Sequence, residues 1–77
     1  EGFKSQWTVD FPQGVTETVF TKKDPDGNIN EVTIQRVVVK GDYGNEYRKV
    51  VSKTGTYYFK NNRTITNLVW DLETDGN

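Results

Sequence analysis

The stretch Asp24-Pro25-Asp26-Gly27-Asn28 runs directly into Ile29-Asn30-Glu31-Val32-Thr33-Ile34-Gln35-Arg36-Val37-Val38-Val39-Lys40, joining a tight turn to a long β-branched run. Pro25 presets φ at the second turn position, and Gly27 accepts the left-handed conformation that follows. The spacing predicts a type I turn with a G1 bulge, closing a hairpin between strands over residues 15–22 and 29–40. The second of these strands changes phase. Val32 and Ile34 share one face, Val37 and Val39 share the other, and Arg36 and Val38 lie between them. Either a bulge near residues 35–37 or a bend where both faces become covered accounts for that shift.

Upstream, Phe3, Ser5, Trp7, Val9 and Phe11 alternate with Lys4, Gln6, Thr8 and Asp10. Period-two alternation predicts a half-buried strand over residues 3–11, ended by Pro12 and Gly14. Downstream, Gly41-Asp42-Tyr43-Gly44-Asn45 is a turn cluster, followed by a strand over residues 46–52. Lys53-Thr54-Gly55 turns the chain into a fifth strand over residues 56–60, and Asn61-Asn62-Arg63 makes the last turn, where Asn tolerates positive φ. Residues 64–73 read two ways. As a strand, Thr66, Leu68, Trp70 and Leu72 share a face. As a helix, Ile65, Leu68, Val69 and Leu72 form a stripe, with Thr66 as N-cap, Gly76 just past the end and Trp70 off the stripe. The strand is favoured, because its neighbours are strands and short helices are marginal alone. Asp75-Gly76-Asn77 is expected to fray.

Composition agrees with a sheet. The 77 residues include ten Val, ten Thr, three Ile and ten aromatics, against two Leu and no Ala or Met. β-branched side chains suit a pleated surface, and the best helix formers are nearly absent. The expected fold is all-β: residues 1–77 form one domain, a small antiparallel meander of five or six strands curled into an open barrel or sandwich. A short C-terminal helix is the alternative for its end. Trp7, Val9, Phe20, Val32, Ile34, Val51, Tyr57, Phe59 and Leu68 are expected inside.

Several kinds of chemistry are excluded by residue content. Without Cys or His there is no disulfide, no zinc site built on those ligands, no Cys nucleophile and no Ser-His-Asp triad. Mean hydropathy is −0.80 and no long apolar run occurs, so no helical membrane span is expected. A paired-carboxylate hydrolase needs a cleft holding two acids about 5–9 Å apart, and a domain of this size has little room for one. Asp42 and Glu46 flank a turn and read as solvated charge. No catalytic, cofactor or metal residue is assigned, and no enzyme activity is expected.

Net charge is −1, but it is distributed as −3 over residues 1–31, +5 over 36–63 and −3 over 64–77. Cross-strand charge pairing is the simplest reading of such blocks. Arg48 and Lys49 differ by one residue and should point to opposite faces. Asp24-Pro25-Asp26-Gly27-Asn28 offers alternating oxygen ligands. Its Gly falls at the fourth position, however, and Gln35 at the twelfth, unlike an EF-hand loop.

Two binding alternatives arise from the aromatic residues. Lys40-Gly41-Asp42-Tyr43-Gly44, then Tyr47, Arg48, Lys49 and residues 57–60, interleave cations with rings in the manner of surfaces that bind single-stranded nucleic acid. The first five of these residues resemble a cold-shock or OB-type strand. The second aromatic-rich strand of those families has no counterpart here. Trp7, Trp70, Tyr57 and Tyr58, with nearby Asn and Asp, suggest a carbohydrate platform, although so small a core also needs aromatics. The residues singled out for ligand contact are Tyr43, Tyr47, Lys49, Tyr58 and Trp70.

Asn62-Arg63-Thr64 fits the N-glycosylation acceptor pattern. The chain opens on Glu1 rather than Met, as a processed mature form or an excised domain would. Enrichment in Thr, Asn, Gly and Tyr suggests an exported or cell-surface setting. The leading expectation is a non-enzymatic module that works through protein contacts or as a structural spacer. Its exposed strand edges could accept a partner strand.

Overall fold

Val37, Val38 and Val39 are all buried, which is possible on a β-strand only where both faces of the sheet are covered. The computed structural model describes residues 7–75 and shows how this arises. A helical turn α1 (Trp7–Asp10) precedes strands β1 (Gly14–Lys23), β2 (Ile29–Lys40), β3 (Tyr43–Ser52), β4 (Gly55–Lys60) and β5 (Arg63–Ile65), and helix α2 (Asn67–Thr74) follows. The strands form one antiparallel sheet in the order β1-β2-β3-β4-β5, a meander that does not close into a barrel. α1 packs on one face against β2 and β3, and α2 packs on the other against β3 and β4. The buried residues gather between these helices, and the molecule extends over 47 × 25 × 20 Å.

The turns follow their residues. Gly27 takes φ +87° and its N–H donates to Asp24 O at 3.0 Å, closing the predicted type I turn. The register then shifts at Lys22/Lys23, as a bulge requires. Gly41-Asp42 joins β2 to β3 with positive φ at Gly41 alone, the type II′ pattern. Asn61 and Asn62 both have positive φ, the type I′ pattern, between Lys60 and Arg63.

The phase change in β2 therefore comes from cover on both faces. Its pairing with β1 and β3 runs without a break through residues 35–37, so the alternative explanation, a bulge there, does not apply. Val38 faces α2 with Tyr47 and Trp70, whereas Val39 lies beside Gly44 under Trp7.

Three other expectations need correction. The N-terminal strand is replaced, over the described residues, by α1; residues 3–6 lie outside the described residues. Trp7 and Phe11 are four apart as well as even-spaced. A helical turn brings their rings to 5.8 Å, with Phe11 N–H on Trp7 O at 3.0 Å. Val9 then points outward, 79% exposed, and Pro12 prevents continuation.

Residues 64–73 divide between the two readings. Arg63–Ile65 is strand, and the rest is helix with the Thr66 hydroxyl accepting from Val69 N–H at 3.2 Å. Its buried side is not the expected Leu stripe. Trp70 and Thr74 are inside, while Leu68 and Leu72 are 62% and 67% exposed. One helix of eight residues has a narrow contact, and the indole fills it with far more area than either Leu.

The predicted core also moves. Val9, Phe20, Val51, Tyr57 and Leu68 are exposed, and the other four are only half-buried. Among the described residues no second layer covers the far half of the sheet, and its apolar residues are exposed.

Candidate interaction site

Alternation along the strands sorts the chemistry onto two faces. On the α2 face, β3 presents Tyr43, Tyr47 and Lys49, and β4 sets Tyr58 opposite Lys49 and Lys60 opposite Tyr47. The Trp70 ring lies 5.9 Å from that of Tyr58. All five residues singled out from the sequence thus belong to one face. They are not equally available. Tyr47 and Trp70 are buried between α2 and the sheet, Lys49 and Tyr58 are half-buried with the ammonium 5.7 Å from the ring, and Tyr43 is half exposed. The residues proposed as a sugar platform therefore include one indole committed to packing.

A depression of about 340 Å³ opens between the β2–β3 turn and α2, lined by Lys40, Tyr43, Asn45, Tyr47, Lys60, Leu72 and Glu73 over Val38. Tyr47 Oη donates to Glu73 Oε1 at 2.6 Å, and Lys60 Nζ donates to the same oxygen at 2.8 Å. The Lys60 bond, then the Tyr47 bond, holds the Glu73 carboxyl below its ordinary range. Burial, reinforced by the bond to Glu73, pushes the Tyr47 hydroxyl well above the usual tyrosine range. This group already satisfies itself, so it secures α2 to the sheet.

Arg36 was not singled out, yet it organises this face. Its Nε donates to Glu17 Oε1 at 2.8 Å. Its Nη1 donates to Thr74 Oγ1 at 2.9 Å and to Thr74 O at 3.3 Å, supplying a cation at the C-terminus of α2. Glu73 and Thr74 were likewise missed, and Lys60, read as one of the cations interleaved with rings, is bonded to Glu73. Glu73 and Thr74 follow Trp70 by three and four residues, so a helix drawn with Trp70 inward would have placed all three together.

Arg48 lies on the opposite face from Lys49, as alternation requires. It pairs with Glu46 at 3.1 Å, bonds Asn62 Oδ1 and covers the Phe59 ring at 5.6 Å. The seven cations of residues 36–63 do not form one continuous patch. Glu46 also accepts from Gln35 Nε2 at 3.0 Å, so it is a buried, partnered carboxylate rather than the expected solvated charge. Asp24 Oδ1 accepts from the N–H of Asp26 and of Asn28 at 3.0 and 2.9 Å, which turns that carboxylate back onto its own loop. Among the described residues there is no cluster of three or more acids that could hold a metal, and no helix long and apolar enough to cross a membrane.

Among the described residues, the longest unpaired run of backbone is the outer edge of β1. β1 is terminal in the sheet, and nine of its ten residues are exposed. Among the described residues no strand pairs with that edge, so alternate N–H and C=O groups over ten residues face outward. β5, the other edge, is three residues long. Val19 (55% exposed) and Phe20 (51%) place apolar surface on both faces beside the free edge of β1.

No protein-family model, no curated protein and no solved structure matches the chain.

Proposed function

We propose that this chain is a non-catalytic interaction module that binds an extended segment of a partner protein by strand addition along β1. The observation that carries the reading is the long edge, unpaired among the described residues, that Val19 and Phe20 flank. Main-chain groups of an added strand would satisfy the outward donors and acceptors. The side chains at positions 15–23 would select the partner sequence. The two helices support this use by holding the opposite part of the sheet rigid.

The test is a titration of the ¹⁵N-labelled chain with ten-residue peptides of alternating apolar and charged sequence, including a copy of residues 14–23. Amide shifts concentrated along β1 and fading across β2 support strand addition. Shifts gathered instead around Lys40, Tyr43 and Asn45 would replace it with a ligand site in the depression beside α2.

A further inference from the structure

We infer that the strand added to β1 is β1 of a second copy, paired antiparallel about a two-fold axis through Phe20; this rests on the strand-addition reading above. A two-fold axis relating antiparallel edge strands stands perpendicular to the sheet and keeps each face continuous. Residues that meet are therefore equidistant from the axis and have the same parity.

That restriction leaves few registers, and charge separates them. Centred on Phe20, Glu17 faces Lys23 of the second copy, and its symmetry mate forms the same pair. Thr18 then faces Lys22, Val19 faces Thr21, and the two Phe20 rings meet on the axis. Centred on Val19, Glu17 faces Thr21 and Lys23 faces Val15. Centred on Thr21, Lys23 faces Val19 and Lys22 faces Phe20. Centring on Glu17 or Lys22 opposes like charges, and centring on Thr18 pairs none. Only the Phe20 register sets acid against base.

The surroundings agree with that register. Across the face that carries α1, pairing aligns Phe20, Thr33, Val50 and Tyr57 in one row. Joining two copies at Phe20 makes that row continuous over two chains. The Glu17 side chain keeps its bond to Arg36 and is still 47% exposed, leaving room for a second cation. α1 and α2 pack over β2, β3 and β4, away from the joining edge. Glu17, Lys22 and Lys23 would discourage unspecific pairing of an open edge, and the matched register turns them into a selection for this one partner.

Absence of Cys permits a direct reading of register. Single substitutions Thr18→Cys, Val19→Cys, Phe20→Cys and Thr21→Cys, air-oxidised at high concentration, should cross-link best at Phe20, where a residue meets itself. A maximum elsewhere, or none, overturns the inference. Sedimentation of the unmodified chain should show a reversible monomer–dimer equilibrium. Glu17→Lys or Lys23→Glu alone should weaken it about tenfold, from two symmetric charge pairs, and the double variant should restore it. A chain that stays monomeric at every concentration overturns self-pairing. If that monomer still shows β1 shifts with an added peptide, strand addition stands and only the identity of the partner falls. If it shows neither, both fall.

Discussion

The guanidinium carbon of Arg36 lies 4.9 Å from the centroid of the Trp70 ring. This places a β2 cation against the buried face of α2 while its nitrogens bond the end of that helix and Glu17 on β1. One side chain thus ties α2 to β1 and β2, strands that the helix otherwise touches little.

Arg36→Ala should therefore destabilise the fold by about 2–3 kcal/mol, through lost cation–π contact, lost charge-assisted bonds and an unpartnered helix end. Arg36→Lys should recover only part of this, because an ammonium cannot stack and fork at once. Urea unfolding followed by circular dichroism measures both. Equal stability of the wild type and Arg36→Ala would remove Arg36 from the account.

Glu73 makes the stability of the α2 contact pH-dependent. Its folded carboxyl titrates below its unfolded one, so its contribution is complete above the ordinary carboxylate range and is lost as pH falls through the depressed value. With 42% of the side chain exposed, solvent screening holds this to about 1 kcal/mol or less. Tyr47 acts in the other direction. Its raised value gives stability that is complete below the usual tyrosine range and lost as pH rises through the folded value. Glu73→Gln should flatten the acid side of the profile, and Tyr47→Phe should remove this loss on the alkaline side. Unfolding midpoints across pH would show either slope unchanged if the account is wrong.

Gly44 reports on the other face. A Cβ there would sit 2.6 Å from Trp7 Cβ, so Gly44→Ala should displace α1 at a cost of about 1–3 kcal/mol. The indole N–H resonance of Trp7 should move while that of Trp70, on α2 across the sheet, stays in place. Movement of both would mean that the two faces are not independent.

Much of the sheet was legible because turns and strands are local. Asp24-Pro25-Asp26-Gly27 and Ile29–Lys40 carry their own instructions, and β2 occupies the range read from the sequence. α1 was not legible, and α2 was legible only as the alternative capped by Thr66, because period two and period 3.6 both fit sequences as short as Trp7–Phe11 or Thr66–Thr74. What decides is which ring finds a partner across the sheet. Trp70 finds Tyr58 and Arg36, a choice set by residues more than thirty positions away in the case of Arg36. The core list failed for a related reason. Strand patterning shows which residues share a face, but not how much of that face a helix covers. Val32 and Val38 share a face, yet only Val38 lies under α2.

The candidate site was legible to the same extent. Alternation set Lys49 and Arg48 on opposite faces, whereas Tyr43, read as turn, joins Tyr47 and Lys49 only because β3 begins at Tyr43, and the burial of Tyr47 and Trp70 depends on α2. Because Arg48 and Lys49 point to opposite faces, short single-stranded oligonucleotides should bind weakly, without localised amide shifts at Tyr43, Tyr47 and Lys49. Strong, salt-sensitive shifts at those three residues would reverse this expectation.

Amide hydrogen exchange along β1 distinguishes a paired edge from an open one. In dilute solution alternate β1 amides, those directed away from β2, should exchange quickly while their neighbours are protected by the β1–β2 ladder. At high concentration, or with the peptide copying residues 14–23, the fast set should gain protection, most strongly around Phe20. Fast exchange of that set under every condition, with protection gained elsewhere or nowhere, would contradict the claim that β1 is where this protein meets its partner.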